Sequence, residues 1–205
     1  MDGLKPKKIG ILGGTFDPVH YGHLLIAQSA LEEFDLDQMV FLPTGKSPHK
    51  AFGQVTDPRL RCAMVQAAIH DNENFVLSDI EAGSEEINYT YRTLQHLHQI
   101  YSDARLHFVM GEDSMDEFGS WKNPQEICRL ATLLVAVRND SGSGIEEKIK
   151  EFADRYGTDA HMLHAPNFSV SSREIRKRVR MGKSVQYMIP KEVQLFIEEH
   201  SLYIE

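Results

Sequence analysis

Short apolar runs and amphipathic runs alternate along nearly the whole chain, and that alternation limits its fold more than any other feature. KKIGIL precedes HLLIAQSALEEF, MVFLPT precedes PRLRCAMVQAAIH, FVLSDI precedes YTYRTLQHLHQIY, RLHFVMG precedes NPQEICRL, and TLLVAV precedes IEEKIKEFADRY. The short runs suit buried strands and the longer ones the 3.6-residue period of helices. Their regular succession predicts an α/β protein, a Rossmann-like open parallel sheet with helices on both faces. A last strand is expected at 161–165 and a closing helix from Pro190 to His200. With 205 residues, 41% of them hydrophobic, the chain can enclose one sizeable core. It is read as one unit over 1–205, with residues 166–205 forming a C-terminal helical segment.

Helix starts carry their own signals. Asp57-Pro58, Asn123-Pro124 and Ile189-Pro190 each put proline where the first helical residue should stand, and Ser171 with Glu174 has capping-box spacing. Asp plus Glu outnumber Lys plus Arg by 30 to 22, so a net charge of −8 offers no overall field for a polyanion. Nucleic acid is therefore not an expected partner. The two cysteines, Cys62 and Cys128, lie in helix-like segments, and MDGLKPKKIGIL has too short an apolar run for a secretion signal. No run reaches the roughly 18 apolar residues of a membrane span. The expectation is a cytoplasmic protein with no membrane partner.

GGTFDPVHYGH, residues 13–23, closes the first strand. Ligands in open α/β sheets sit beyond the carboxyl ends of strands. Gly13 and Gly14 let the backbone approach a ligand, Gly22 leaves room at the next helix start, and that start favours an anion. A phosphate is the natural guest, with His20 and His23 donating to its oxygens as charge develops. A capped turn with two incidental histidines is the bland alternative. A metal site is another, weakened because no cysteine or third ligand lies nearby. Near the other end, Ser171, Ser172 and Arg176 offer hydroxyls, helix amides and a planar fork to phosphate oxygens, while Arg173, Lys177, Arg178 and Arg180 read as a solvated face. Residues 44–57 form a long polar loop of the kind that is either functional or disordered.

The first of these stretches resembles the HxGH signature of the nucleotidyltransferase superfamily, and SVSSREIR at 169–176 resembles its second, serine-rich signature. SPHK at 47–50, INYTYRTL at 87–94, MGEDSMDEFGSW at 110–121 and the closing segment 182–203 are similar to the bacterial nicotinate mononucleotide adenylyltransferases. The nearest enzymatic rival, phosphopantetheine adenylyltransferase, lacks the YTYRTL and GSW segments; a non-catalytic nucleotide-binding module is a more distant one.

The resemblance implies that ATP and nicotinate mononucleotide give nicotinate adenine dinucleotide and pyrophosphate, a step of NAD synthesis, by in-line attack without a covalent intermediate. It implies catalytic roles for His20, His23, Ser172 and Arg176, and places Gly13, Gly14, Thr15, Phe16 and Ser171 along the phosphates. Gly111 and Asp113 would meet the adenosine ribose. Lys46, His49, Lys50 and Arg138 would serve the mononucleotide, Thr90 and amides near Trp121 and Lys122 its carboxylate, and the Trp121 ring its pyridine. Magnesium is the expected cofactor, carried with its waters on the triphosphate, so no residue is assigned as a metal ligand. A homo-oligomer is compatible with the resemblance. From the residues alone, Thr90 and Asp113 can instead be helix caps, and Lys46 and Lys50 solvated lysines. Arg92 and Arg173 depart from the family pattern, which commonly has an acidic residue and a threonine there.

Overall fold

The structure is a computed structural model that describes residues 6–46, 55–84, 86–137 and 144–204. Six strands form the sheet: β1 (Lys8–Gly14), β2 (Gln38–Pro43), β3 (Phe75–Leu77), β4 (Arg105–Gly111), β5 (Ala131–Val137) and β6 (Ala160–His164). They lie in the order β3-β2-β1-β4-β5-β6 and every neighbouring pair is parallel. The helices are α1 (Tyr21–Glu33), α2 (Pro58–Ile69), α3 (Thr90–Ile100), α4 (Glu112–Glu117), α5 (Pro124–Leu130), α6 (Ile145–Tyr156), α7 (Ser172–Arg180) and α8 (Lys191–Glu199). The expected Rossmann-like open sheet is therefore present.

Apolar side chains alternate across the sheet as the two-residue strand period requires. On β1, Ile9 and Ile11 join one core with Leu94, Leu97, Phe118, Ile127 and Phe152, whereas Leu12 joins the other with Ala27, Met64, Ile175 and Ile197. Helices α3, α5 and α6 thus cover one face, and α1, α2, α7 and α8 the other. Strand succession reverses between β1 and β4: β1 is followed outward by β2 and β3 on one side and β4 by β5 and β6 on the other. Connections leaving these two strands diverge, which opens a crevice at their carboxyl ends.

Local signals mostly act where expected. Asp57 caps α2 by accepting the Arg59 N–H at 2.8 Å, and the Ser171 hydroxyl caps α7 by accepting the Glu174 N–H at 3.2 Å. Pro124 opens α5 after Asn123, whose φ of 52° lies in the left-handed region that asparagine tolerates better than most residues. Pro190 sits one position outside α8, as its cap, so the helix spans Lys191–Glu199. The last strand begins at Ala160, one residue before its expected start. No helix among the described residues is long and apolar enough to cross a membrane.

Candidate active site

The loop from β1 to α1 folds its histidines onto each other. His20 is the N-cap of α1, and its backbone N–H donates to Nδ1 of His23 at 3.2 Å. The rings stack with centroids 3.7 Å apart, and the Phe16 ring meets His23 edge-on at 4.9 Å. Because His23 Nδ1 accepts a hydrogen bond, the proton of the neutral ring belongs on Nε2, as a donor. Burial lowers the His20 pKa from 6.5 to about 4, and burial with the adjacent His20 lowers that of His23 well below its usual value. Both imidazoles are neutral at pH 7. Nδ1 of His20 is buried without a hydrogen-bond partner.

The glycines of this loop make room for different neighbours. A Cβ on Gly22 would come within 3.0 Å of the His20 ring, and one on Gly14 within 3.0 Å of the Phe16 ring. The space expected for a ligand at those two positions is thus taken by the protein's own rings. Only Gly13, whose added Cβ would touch Phe108 at an ordinary 3.8 Å, leaves the backbone open.

Asp17, 3% exposed, gathers residues from distant parts of the chain. Its carboxylate accepts the Tyr203 hydroxyl at 2.7 Å and the Thr56 N–H at 3.3 Å. The Asp17 backbone carbonyl accepts Arg176 Nη1 at 2.6 Å, and that guanidinium stands 3.9 Å from the carboxylate. One residue on, the Pro18 carbonyl accepts the Ser172 hydroxyl at 2.9 Å. Helix α7 is thereby braced against the histidine loop through two consecutive carbonyls. Arg61, 1% exposed, donates to the carbonyls of Thr15, Thr44 and Thr56 at 2.6, 2.7 and 2.8 Å.

Two clefts open at the carboxyl ends of the strands. The larger, about 730 Å³, is bordered by Gly13, His20, His23, Gly111, Asp113, Ser171 and Ser172. The smaller, about 410 Å³, is bordered by Gly13, Gly14, Thr15, Thr90, Trp121 and Lys122. Gly13, Phe108 and Trp121 border both and form their shared wall. Trp121 is held in that wall by ring contacts with Phe108 and Phe118 at 6.2 and 5.4 Å.

Most of the sequence-predicted residues converge on these clefts, with several differences. Gly14 and Thr15 border the smaller cleft and not the larger one. Phe16 borders neither: its ring is 1% exposed and packs in the core, since a phenylalanine at this turn is more stable buried than facing phosphates. Arg176 does not border the larger cleft either, being turned onto Asp17. The Ser172 hydroxyl hydrogen is committed to Pro18, whereas the Ser171 oxygen accepts from Glu174 and keeps its hydroxyl hydrogen to donate. Thr90 is the first residue of α3 and not its cap, and Asp113 lies within α4 behind the Gly111 cap. Lys46 is fixed by its backbone, which exchanges hydrogen bonds with the Asn88 side chain and N–H at 2.9 and 3.0 Å. His49, Lys50 and Arg138 lie outside the described residues. Arg92 is exposed, over Tyr89 and Tyr91 and 3.5 Å from Glu86, and Arg173 is exposed on α7.

Four residues of the site were missed by sequence reasoning: Asp17, Arg61, Glu81 and Tyr203. Glu81 is 6% exposed on the smaller cleft, accepts the Thr93 hydroxyl at 2.6 Å, and has its pKa raised by burial. An arginine set directly against an apolar run, Arg61 before CAMV in PRLRCAMVQAAI, is the signal that was available.

The profile of the cytidylyltransferase-like family matches residues 11–178. A protein of Desulfitobacterium hafniense (strain Y51), described as a probable nicotinate-nucleotide adenylyltransferase, is 40% identical over 97% of this chain and 96% of its own. The chain belongs to the nicotinate-nucleotide adenylyltransferase family. A second such relative, from Synechococcus sp. (strain JA-3-3Ab), is 37% identical over 97% of this chain and 96% of its own. In fold, this adenylyltransferase resembles the nicotinic acid mononucleotide adenylyltransferase of Plasmodium falciparum, solved in complex with APC and with NaAD. The TM-scores are 0.76 and 0.78 at 19% and 20% identity, covering 96% of this chain and 97% of the other in each case. Membership of the family makes the protein an enzyme, a nucleotidyltransferase of NAD biosynthesis.

Proposed function

We propose that the two clefts hold the two substrates of one adenylyl transfer, ATP in the larger and nicotinate mononucleotide in the smaller. What carries this reading is their shared wall: the histidine pair borders one cleft, Thr90 and Lys122 the other, and Gly13 leaves open backbone between them. A phosphate oxygen of the mononucleotide attacks the α-phosphorus of ATP from the opposite side to the departing pyrophosphate. That phosphate is already ionised at neutral pH, so catalysis consists of positioning and charge stabilisation.

His23 donates from Nε2 to the α-phosphate as charge gathers there, and His20, which borders the same cleft, sets a second neutral ring beside it. The α7 start and the Ser171 hydroxyl receive the β- and γ-phosphates. Arg176 adds positive charge at the edge of that group, and Ser172 serves as a brace. Trp121 offers its ring to the pyridine, with Thr90 and the amides at Trp121 and Lys122 taking the carboxylate. Magnesium fits this site as an ion carried by the triphosphate. Among the described residues no three His, Cys, Asp or Glu side chains converge, and magnesium keeps several waters while neutralising phosphate charge. Charged nucleotide substrates, which do not cross membranes unaided, place the reaction in the cytoplasm.

Pyrophosphate release with magnesium and ATP tests the reading, comparing nicotinate mononucleotide, its amide and phosphopantetheine as acceptors. Release with the nicotinate form alone is expected. Release with phosphopantetheine would keep the ATP cleft and overturn the assignment of the smaller one.

A further inference from the structure

Arg176 stands beside a buried carboxylate that competes with any phosphate for its charge. Asp17 Oδ2 stands 3.9 Å from the guanidinium, farther than a hydrogen-bonded ion pair, although the same arginine already bonds the Asp17 carbonyl at 2.6 Å. Two other donors keep the carboxylate occupied. The Tyr203 hydroxyl takes Oδ1 at 2.7 Å and the Thr56 N–H takes Oδ2 at 3.3 Å. Tyr203 reaches Asp17 from the turn after α8, at a φ of 65°, a left-handed backbone that a side chain as large as tyrosine rarely adopts. Such a conformation persists where the surroundings over-determine it. Burial and the Asp17 charge raise the Tyr203 pKa, so its hydroxyl stays a donor.

We infer that Tyr203 is a positioning residue of the triphosphate site: by holding the Asp17 carboxylate, it keeps Arg176 available to phosphate. The inference rests on the role given to Arg176 above. Without the tyrosine hydroxyl, the carboxylate loses a strong donor, and the Arg176 guanidinium, 3.9 Å away, is a charged replacement within reach. A tight Asp17–Arg176 pair then withdraws positive charge from ATP and leaves the mononucleotide cleft untouched.

Steady-state kinetics of Y203F, R176A and the double variant form the test. The ring is retained in Y203F, so the fold has little reason to fail, and its melting temperature provides a check. The expected result is a rise of at least about fivefold in the KM for ATP in Y203F, with the KM for nicotinate mononucleotide within about twofold of wild type. In the R176A background the same change should have no further effect, because the group it acts through is gone. Asp17→Asn in the Y203F background, by removing the competing charge, should bring the KM for ATP back toward the wild-type value. Wild-type ATP dependence of Y203F beside a defective R176A overturns the inference alone, as does a Y203F effect that persists undiminished without Arg176. An R176A enzyme with wild-type ATP parameters overturns it together with the role given to Arg176. A purely structural tyrosine would lower the melting temperature and shift neither KM selectively.

Discussion

The backbone N–H of His20 donates to Nδ1 of His23 at 3.2 Å, and this one bond sets the tautomer of the second ring. A neutral imidazole with its proton on Nε2 can stabilise developing charge without first releasing a proton. Replacing His23 by alanine should therefore lower kcat by about 10²–10³. The dissociation constant of nicotinate mononucleotide should stay within about threefold of wild type, as measured by calorimetry.

Burial of the same pair makes stability depend on pH. Well above pH 6.5 neither the folded nor the unfolded chain protonates His20, and the effect is absent. As the pH falls, the unfolded chain takes a proton that the folded one, with its pKa of about 4, refuses. Stability should decline by about 2 kcal/mol between pH 7 and pH 5 from this residue alone, at about 1.4 kcal/mol per pKa unit. Denaturant melts at both pH values should show this slope in the wild type, and His20→Asn should flatten it. Equal slopes in the two proteins would assign the pH dependence elsewhere.

Trp121 borders both clefts, so its loss is not silent for either substrate. Stacking of a base-like ring on an aromatic side chain is worth about 1–3 kcal/mol. Trp121→Ala should raise the KM for nicotinate mononucleotide by about 10-fold or more and that for ATP by less. The opposite order would place the pyridine away from this ring.

Acid is preferred over amide if donors converge on the pyridine substituent. A carboxamide would turn an NH₂ toward those donors and leave one unpaired, a loss of about 1–3 kcal/mol or more. The ratio of kcat/KM for nicotinate mononucleotide over its amide should accordingly be at least about 5 and reach about 150 or more. Comparable efficiencies with both would remove Thr90 and Lys122 from the carboxylate.

Gly45 has no space for a side chain. A Cβ there would overlap the Glu81 carbonyl oxygen and come within 2.5 Å of the Asn88 side-chain oxygen. Backbone cannot yield as the tip of a flexible side chain can, so Gly45→Ala should cost about 1–3 kcal/mol of stability. Thermal unfolding measures the stability change, and the KM for the mononucleotide should rise with it because Glu81 and Asn88 both border the smaller cleft.

What the sequence made legible was local. Strand and helix periods were visible in runs of five to thirteen residues, and the caps at Asp57 and Ser171 lie two or three positions from the amides they satisfy. The histidine pair and the serine-rich helix start were visible because each occupies one short stretch. The rest depends on pairings that no short stretch records. Tyr203 meets Asp17 across 186 positions, and Arg176 across 159. The resemblance puts Phe16 along the phosphates, but its ring turns inward to the core. The capping box at Ser171 was legible from its spacing to Glu174, whereas the bond of Ser172 to the Pro18 carbonyl spans 154 positions and was not.

Arg61 has a consequence for how such a site can change over time. Its guanidinium pins Thr44 and Thr56, the two ends of one loop, to Thr15 of the histidine loop, using only backbone carbonyls. Carbonyls are the same whatever residues carry them, so the fastening does not depend on which side chains stand at these three positions. Thr15, Thr44 and Thr56 can therefore change side chain without loosening the two ends of the loop from the histidine loop, provided the backbone keeps its path.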